Sequence, residues 1–593
     1  MYLSEIKLWN FRKYGTDEQF DILKPSLILK LNKGINVLVG ENDSGKTAII
    51  DAIKLVLKTQ DYEWIRVSDK DFFNNTNRFR IELEFDDLQD NEAKNFIEWL
   101  CYRTIKDEQQ QDKAEVYLRL IYDVTRNEER IFPNDICAGA DEKGYPLTAE
   151  AKEYLKTTYL KPLRDAEAEL TPGRNSRLSN ILYSSDTFKK GGTENSLTKK
   201  IDDFNEFVKD FFEKPENEGN QIKLIIDEFL SSFIQNEDKS SFSFSQKDLR
   251  NILSKLELGL KDITNPGLGS LNRLYMAAEL LNLKREAWNG VKLCLVEELE
   301  AHLHPQAQMK VINKLIQCSN DDNIQFILTT HSPNLTSKLP LENLIYCHNK
   351  FCYPMGKEYT KLENDDYTYL QKFLDVTKSN LFFAKGLIFV EGWAEEIFLP
   401  SFAKVLKNIG IINKDLTDAG VSIINVGNLA FLRYSKIFQR KDDSEIDIPI
   451  AIITDSDIKK YKKDKDSNNI YELDNDEVQK QLHNKIQNLR EDFDYQNFIK
   501  VFIAKDWTFE FALFKSKLFN EKFKVIVKEI HPQINLDNFE KELAKKLLLQ
   551  DLSKTEIAYK FATELNKMQV KKEELESDSS IQYLIGAIKF VCK

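Results

Sequence analysis

No CxxC pair occurs in the chain and its seven cysteines lie scattered along it, a pattern that excludes a zinc ribbon and a disulfide framework and leaves reduced thiols. Nor does any run approach the ~18 to 20 uninterrupted apolar residues of a membrane span. The opening MYLSEIKLWNFRKYG lacks the basic-then-apolar layout of a secretion signal, so a cytoplasmic protein with no membrane partner is expected. Net positive charge is missing as well. At a net charge of -12 the overall field repels a polyanion, and contact with nucleic acid has to come from local basic stripes. The run IKKYKKDKD, with Lys459, Lys460, Lys462, Lys463 and Lys465, offers one stripe, although such runs are more often solvated loops. What is present in quantity is apolar side chain: 593 residues at 42% hydrophobic content can bury several cores, in three or four domains.

The first chemistry-bearing segment is INVLVGENDSGKTAIIDAIKLVL, a β-branched strand, a glycine-bounded turn and an amphipathic helix. GENDSGKT fits GxxxxGK[ST] at every fixed position, with strand and helix where that motif needs them. The backbone from Gly40 through Asn42, Ser44 and Gly45 can turn N–H groups toward phosphate oxygens at a helix N-terminus, where the dipole favours an anion. Lys46 then reaches the terminal phosphates and the Thr47 hydroxyl reaches Mg²⁺. Downstream, VKLCLVEELEAHLHPQAQ predicts a strand over Lys292 to Val296 that ends on Glu297 and Glu298, a metal-holding and a water-activating carboxylate beside a phosphate site. NIQFILTTHSPNL predicts another, Ile324 to Thr330, delivering His331. Three of the six histidines, His302, His304 and His331, fall in this short region.

From NFRKYG through GENDSGKT to EELEAHLHP and TTHSPN, the first half resembles the ABC-type ATPases of the SMC-like group, whose head is split by an insertion. The resemblance implies ATP and Mg²⁺ as cofactors, a D-loop at Glu300 to Pro305 and His331 as the switch histidine. It places the signature loop at NPGLGSLNRLYMAAELL, with Gly267, Gly269 and Ser270 ahead of a helix, although the generic LSGGQ is absent; Glu297 stands where many such proteins have Asp. Heads of this kind bind ATP between two copies, so at least a homodimer is implied. The segment from 159 to about 240 has no sustained heptads, which argues for a compact helical dimerisation insert in place of a long coiled-coil arm.

From about residue 381 strands and helices alternate, the pattern of a parallel sheet whose strand ends share one edge. GLIFV ends on Glu391, a helix starts near Ala394, and GVSIINVG and IPIAIITDSD supply two further strands, the latter ending on Asp455 and Asp457. Alternate residues leaving a strand point the same way, so the two aspartates are expected to face one cation together. Carboxylates without histidine or thiolate suit Mg²⁺ or Mn²⁺, and a like-charge cluster without a cation is costly.

These features look like a Toprim domain, and Toprim behind an SMC-like ATPase is the arrangement of the OLD family of ATP-dependent endonucleases. LFFAKGLIFVEGWAEE is similar to that family's segment, including the second acid Glu395; KPLRDAEAEL, GRNSRL and AKDWTFEFAL also resemble family motifs. The resemblance implies Glu391, Glu395, Asp455 and Asp457 as ligands of two catalytic metals, Glu510 as a further acid and Lys554, or else Lys560, as the lysine that neutralises transition-state charge. It implies DNA as substrate, a role in bacterial antiphage defence, and a partner such as a helicase or a retron's reverse transcriptase and noncoding RNA. The expected architecture is α/β: an ATPase N-terminal lobe (1–158), the helical insert (159–245), an ATPase C-terminal lobe (246–380) and a Toprim domain with a helical extension (381–593). Strand passage and priming are disfavoured, the first because no nucleophilic tyrosine on a winged-helix domain is identified, the second because the cysteine zinc module is missing. A DNA-clamping ATPase whose Toprim fold binds without cutting is the remaining alternative.

Overall fold

The computed structural model describes all residues except 61–64, 107–111, 129, 162–169, 174–176, 185–187, 189–195, 234–238, 243–248, 264–265, 284–289, 428–430, 443, 465–469 and 593. Most of the KPLRDAEAEL motif, part of GRNSRL, and Lys465 of the basic run therefore lie outside the described residues. The chain forms two compact units, Met1–Asn36 with Thr47–Thr329, and Val37–Lys46 with Thr330–Lys593.

In the first unit, β1 (Tyr2–Trp9) and β2 (Leu27–Lys30) pair antiparallel. After β3 (Ile35–Val39), whose five residues are all buried, come β4 (Arg78–Asp86), β5 (Leu100–Lys106) and β6 (Asp112–Arg126). With β7 (Ile131–Pro133), β8 (Cys137–Ala138) and β9 (Tyr145–Pro146) they complete an eight-stranded sheet in the order β2-β1-β4-β6-β8-β9, with β5 and β7 also on β6. β4 is buried along almost its whole length, charged residues included. Its Arg80 and Glu82 pair at 2.6 Å, and Arg119 of β6 adds a 2.8 Å bridge to Glu82, which is how charge survives there. A parallel set follows: β10 (Thr158–Leu160), β11 (Leu293–Val296) and β12 (Gln325–Thr329), the last two within a residue of the expected spans. Every residue of these three strands is buried and most are apolar, as in strands covered on both faces.

The expected insert opens inside β10, whose Tyr159 and Leu160 pair with β11, and beyond it the described elements are helices. Helices Ser196–Glu213 and Glu218–Phe233 are joined by a short turn and leave Phe207, Leu224 and Ile225 exposed. Helix Arg177–Ser184 is tied to helix Leu268–Leu283 by a buried ion pair of Arg177 with Glu279, Nε to Oε1 at 2.5 Å.

The second unit comprises Val37–Lys46 and Thr330–Lys593. Here β13 (Leu344–His348) pairs parallel with Val37–Val39 of β3 and antiparallel with β14 (Phe351–Pro354). Tyr346 of β13 packs on Phe382 and Phe438, ring centroids 6.1 and 5.9 Å apart, and the Arg440 guanidinium donates to the Pro354 carbonyl at 2.6 Å. Buried aromatic contact and a buried donor hold this hairpin to the residues after 381.

The rest of the unit is built on β15 (Gly386–Val390), β16 (Val421–Asn425), β17 (Ile450–Asp455) and β20 (Ile499–Ala504), all parallel in the order β16-β15-β17-β20. β18 (Tyr461–Lys463) and β19 (Ile470–Glu472) form a separate hairpin. An aromatic cluster fixes the helices around this sheet: Phe398 meets Phe509 at 5.3 Å and Phe561 at 5.9 Å, and Phe519 meets Phe561 at 5.3 Å. All seven cysteines are free thiols. Among the described residues no helix is long and apolar enough to cross a membrane.

Candidate functional site

The nucleotide motif folds as its sequence requires. Gly40 sits at φ +143°, and a Cβ there would lie 2.2 Å from the Cys347 carbonyl oxygen, so only glycine lets the loop pass β13. Gly45 adopts φ 102° before helix Lys46–Leu57. Lys46 is buried, its ammonium on the Gly40 carbonyl at 2.9 Å, the Glu41 carbonyl at 2.5 Å and Ser44 Oγ at 3.0 Å. Those contacts aim the charge across the loop that also carries Asn42.

In the first unit, Glu297 directly follows β11 and is 7% exposed. Burial raises its pKa, and the charge of Asp51 adds to the rise, while hydrogen bonds from Tyr159 and Thr47 oppose it. The Tyr159 hydroxyl donates to Glu297 Oε2 at 2.5 Å, and Lys54 lies 3.8 Å over the Tyr159 ring. Sequence reasoning missed Tyr159, whose only signal is its place on the strand beside β11. Thr47 and Glu297 are thus brought together as a pair of oxygen donors, the set Mg²⁺ takes.

Glu298 is exposed, in a left-handed conformation with φ 46°, its N–H donating to Thr329 Oγ1 at 3.0 Å. The turn swings its side chain away from the strand direction that Glu297 follows. Gly269 starts helix Leu268–Leu283, and a Cβ there would meet the His302 carbonyl oxygen at 2.5 Å. The predicted signature loop therefore packs directly on the predicted D-loop. Ser270 Oγ accepts from Arg273 at 3.1 Å. His331 lies just beyond β12, half-buried, in the second unit.

The second site is assembled at the carboxyl edge of the four-stranded parallel sheet. Glu391 follows β15; its Oε1 accepts from the Thr454 hydroxyl at 2.5 Å and the Asp455 N–H at 3.0 Å. Burial raises its pKa against those two bonds, and the charge of Asp457 adds to the rise. Glu395 lies in the first turn of helix Trp393–Asn408, one turn ahead of Phe398, which anchors it in the aromatic cluster. Asp455 ends β17. Glu510, 2% exposed, follows Phe509 and accepts from Thr508 at 2.9 Å and from Lys554 at 3.0 Å. Lys554 opens helix Lys554–Leu565, whose Phe561 enters the same cluster.

The electrostatics follow from this crowding. Burial, then the charges of Glu510 and Glu391, lift Glu395 to about 7. Asp455 is raised by burial and by Glu395, Glu391 and Glu510. Burial alone would lower Lys554, but Glu510 and Asp455 outweigh it and hold the ammonium charged. Lys560 instead pairs with Glu529 at 3.7 Å, so of the two candidate lysines it is Lys554 that meets the acids.

Asp457 departs from expectation. The strand ends at Asp455, and Asp457 is exposed with φ 56°, its N–H donating to the Trp507 carbonyl at 3.1 Å. Strand alternation therefore does not govern where it points; its charge still acts on Glu391. Among the described residues no three His, Cys, Asp or Glu side chains stand close enough together to grip an ion as placed. The donors nevertheless fit a hard divalent cation: all are carboxylate oxygens, and their mutual repulsion is what a cation relieves. Ligation needs side-chain rotation. Thr454, Thr508 and Tyr583 are residues of this site that the sequence did not disclose.

Comparison with known proteins agrees with both halves. The AAA ATPase domain family matches residues 1–336, and the overcoming lysogenization defect protein-like TOPRIM domain matches residues 382–457. The chain is 23% identical to Endonuclease GajA of Bacillus cereus (strain HuB5-5), over 95% of this chain and 96% of that one. It is 23% identical to the OLD nuclease of Thermus scotoductus over 36% of this chain and 41% of that one, and 37% identical to the Retron Ec83 probable ATPase of Escherichia coli over 12% of each.

Proposed function

The chain belongs to the AAA ATPase domain family, and on that footing we propose that it is an ATP-regulated, metal-dependent DNA endonuclease of the OLD type. The observation that carries this reading is the gathering of Glu391, Glu395, Asp455 and Glu510 around Lys554 at one sheet edge, where burial and then mutual charge lift Glu395 to about 7. The ligands are Glu391, Glu395, Asp455 and Asp457, with Glu510 beside them. When bound, Mg²⁺ or Mn²⁺, two ions in this reading, supplies a hydroxide at neutral pH and Lewis-acid stabilisation of the phosphate. Thr454 and the Asp455 N–H hold one Glu391 oxygen and leave the other to face the cluster. Glu510 anchors the Lys554 ammonium, which neutralises charge growing on the phosphate in the transition state.

In the ATPase half, the backbone of Gly40, Asn42, Ser44 and Gly45 cradles phosphate, Lys46 meets the terminal phosphates, and Thr47 with Glu297 takes Mg²⁺. Glu298 orients the attacking water and His331 senses the terminal phosphate. Gly269 and Ser270 serve the nucleotide of a second copy, so the working form is a homodimer or larger, with the 159–245 helices as its dimerisation insert. ATP binding gates cutting in a cytoplasmic, antiphage setting, alone or with a helicase or a retron's reverse transcriptase and noncoding RNA.

The test is cleavage of supercoiled plasmid by full-length protein in Mg²⁺ or Mn²⁺, with and without ATP, beside Glu391→Ala and Lys46→Ala. Cutting by wild type that is lost in Glu391→Ala supports the reading, and the Lys46→Ala lanes give the direction of ATP control. ATP hydrolysis without cutting under any metal condition favours a DNA clamp instead.

A further inference from the structure

The last helix of the chain, Gln582–Val591, packs on β15, β17 and β20. Its direction is fixed at two points. A Cβ on Gly586 would touch the Phe502 ring of β20 at 3.0 Å, and a Cβ on Gly386, the first residue of β15, would meet the Val591 carbonyl oxygen at 3.3 Å. The helix thus ends where the strands begin. At ~1.5 Å per residue its start lies about 15 Å further on, at the carboxyl edge of the sheet. Tyr583, one turn ahead of Gly586 on the same sheet-facing side, is delivered to the carboxylate cluster.

Its hydroxyl is sealed from solvent, though the residue as a whole is half-buried, and among the described residues it has no hydrogen-bond partner. Burial and the charges of Asp455, Glu395, Glu510 and Asp506 all hold that hydroxyl protonated. It is therefore a donor that donates to none of the acids whose charges act on it. A buried polar group left unpaired costs about 1–3 kcal/mol and calls for a reason. The carboxylates of this site must rotate to ligate a cation, and rotation is what can bring an acceptor to the phenol.

Resting on the metal-site reading above, we propose that Tyr583 is a positioning residue of the cation-bound cluster, its hydroxyl donating to the Asp455 carboxylate and fixing that ligand's orientation. Hydrogen bonds of this outer kind hold first ligands in place, and losing one typically weakens metal affinity by ~10- to 100-fold.

The experiment is Mn²⁺ titration of full-length protein without nucleotide, followed by the electron paramagnetic resonance of free Mn²⁺, on wild type, Tyr583→Phe, Tyr583→Leu and Glu391→Ala, with the metal-free melting temperature of each. Tyr583→Phe keeps the ring and removes only the orphan hydroxyl. Its metal-free melting temperature is expected to equal or exceed that of wild type, while Mn²⁺ binds ~10- to 100-fold more weakly. Tyr583→Leu is expected to lose both. Mn²⁺ affinity in Tyr583→Phe within about twofold of wild type, or a fall in its metal-free melting temperature, overturns the proposal; the phenol is then a packing group or is bridged by a bound water. Wild type that binds no Mn²⁺, or binds it equally well as Glu391→Ala, removes the metal-site reading itself and this inference with it.

Discussion

Arg177 and Glu279 form a buried, two-pronged ion pair. Arg177 is 4% exposed and Glu279 0%. Nε and Nη2 reach the two carboxylate oxygens at 2.5 and 2.7 Å, and Nη1 donates to the Gln60 carbonyl at 3.0 Å. The pair therefore joins the insert to helix Leu268–Leu283 and to the chain just past helix Lys46–Leu57. Glu279→Leu leaves a guanidinium buried without its counter-charge, at a cost of about 3–5 kcal/mol. Arg177→Met strands the carboxylate and also the Gln60 carbonyl, which adds ~1 kcal/mol. Either change is a large fraction of the ~5–15 kcal/mol that holds a typical domain. The double variant removes both charges and fills the space with apolar atoms, so it is expected to recover most of the loss and to show a coupling energy of at least ~3 kcal/mol. In calorimetry of full-length protein, each single variant should lower the transition of the first unit by roughly 5–10 °C, with the double variant close to wild type. Single variants within ~1 kcal/mol of wild type, or a double variant no better than the worse single, would refute the reasoning.

Three further outcomes are expected. Gly40→Ala forces a Cβ to within 2.2 Å of the Cys347 oxygen at φ +143°; ATP hydrolysis should be lost with a destabilisation of at least ~1–3 kcal/mol, read by a phosphate-release assay and a melt. Tyr159→Phe removes the 2.5 Å bond to Glu297; the turnover number for ATP should fall ~10-fold with a raised Mg²⁺ requirement, and an unchanged Mg²⁺ dependence would count against Tyr159 as an orienting group. Glu395 is lifted from 4.5 to about 7, so the folded protein keeps a proton that the unfolded chain releases. Metal-free stability should therefore fall as pH rises from 4.5 through about 7, and the melting-temperature gain from Mg²⁺ should be larger near pH ~8 than near pH ~5.5. An equal gain at both would show that the acids are not what the cation relieves.

Much of this was legible in the sequence because it is local. GENDSGKT carries its own turn and helix start, GLIFV coincides with β15, and the IPIAIITD run contains β17, since an apolar run between turn residues has few other ways to fold. Of the two late lysines, Lys554 contacts Glu510 and Lys560 contacts Glu529, a difference that the sequence spacing alone does not show. Less legible was Asp457: the alternation argument needs an extended chain, and the strand stops two residues earlier.

By itself, then, the sequence determined the chemistry: a phosphate loop, strand-end acids, oxygen donors without histidine or thiolate, and a parallel sheet to present them. Only the tertiary structure decided which groups share a space. Tyr159 on Glu297, Thr454 on Glu391 and Arg177 on Glu279 join residues 63 to 138 positions apart, and the unpaired Tyr583 hydroxyl rests on a helix laid back across the sheet. Packing of apolar faces sets such meetings, and no short-range pattern records them.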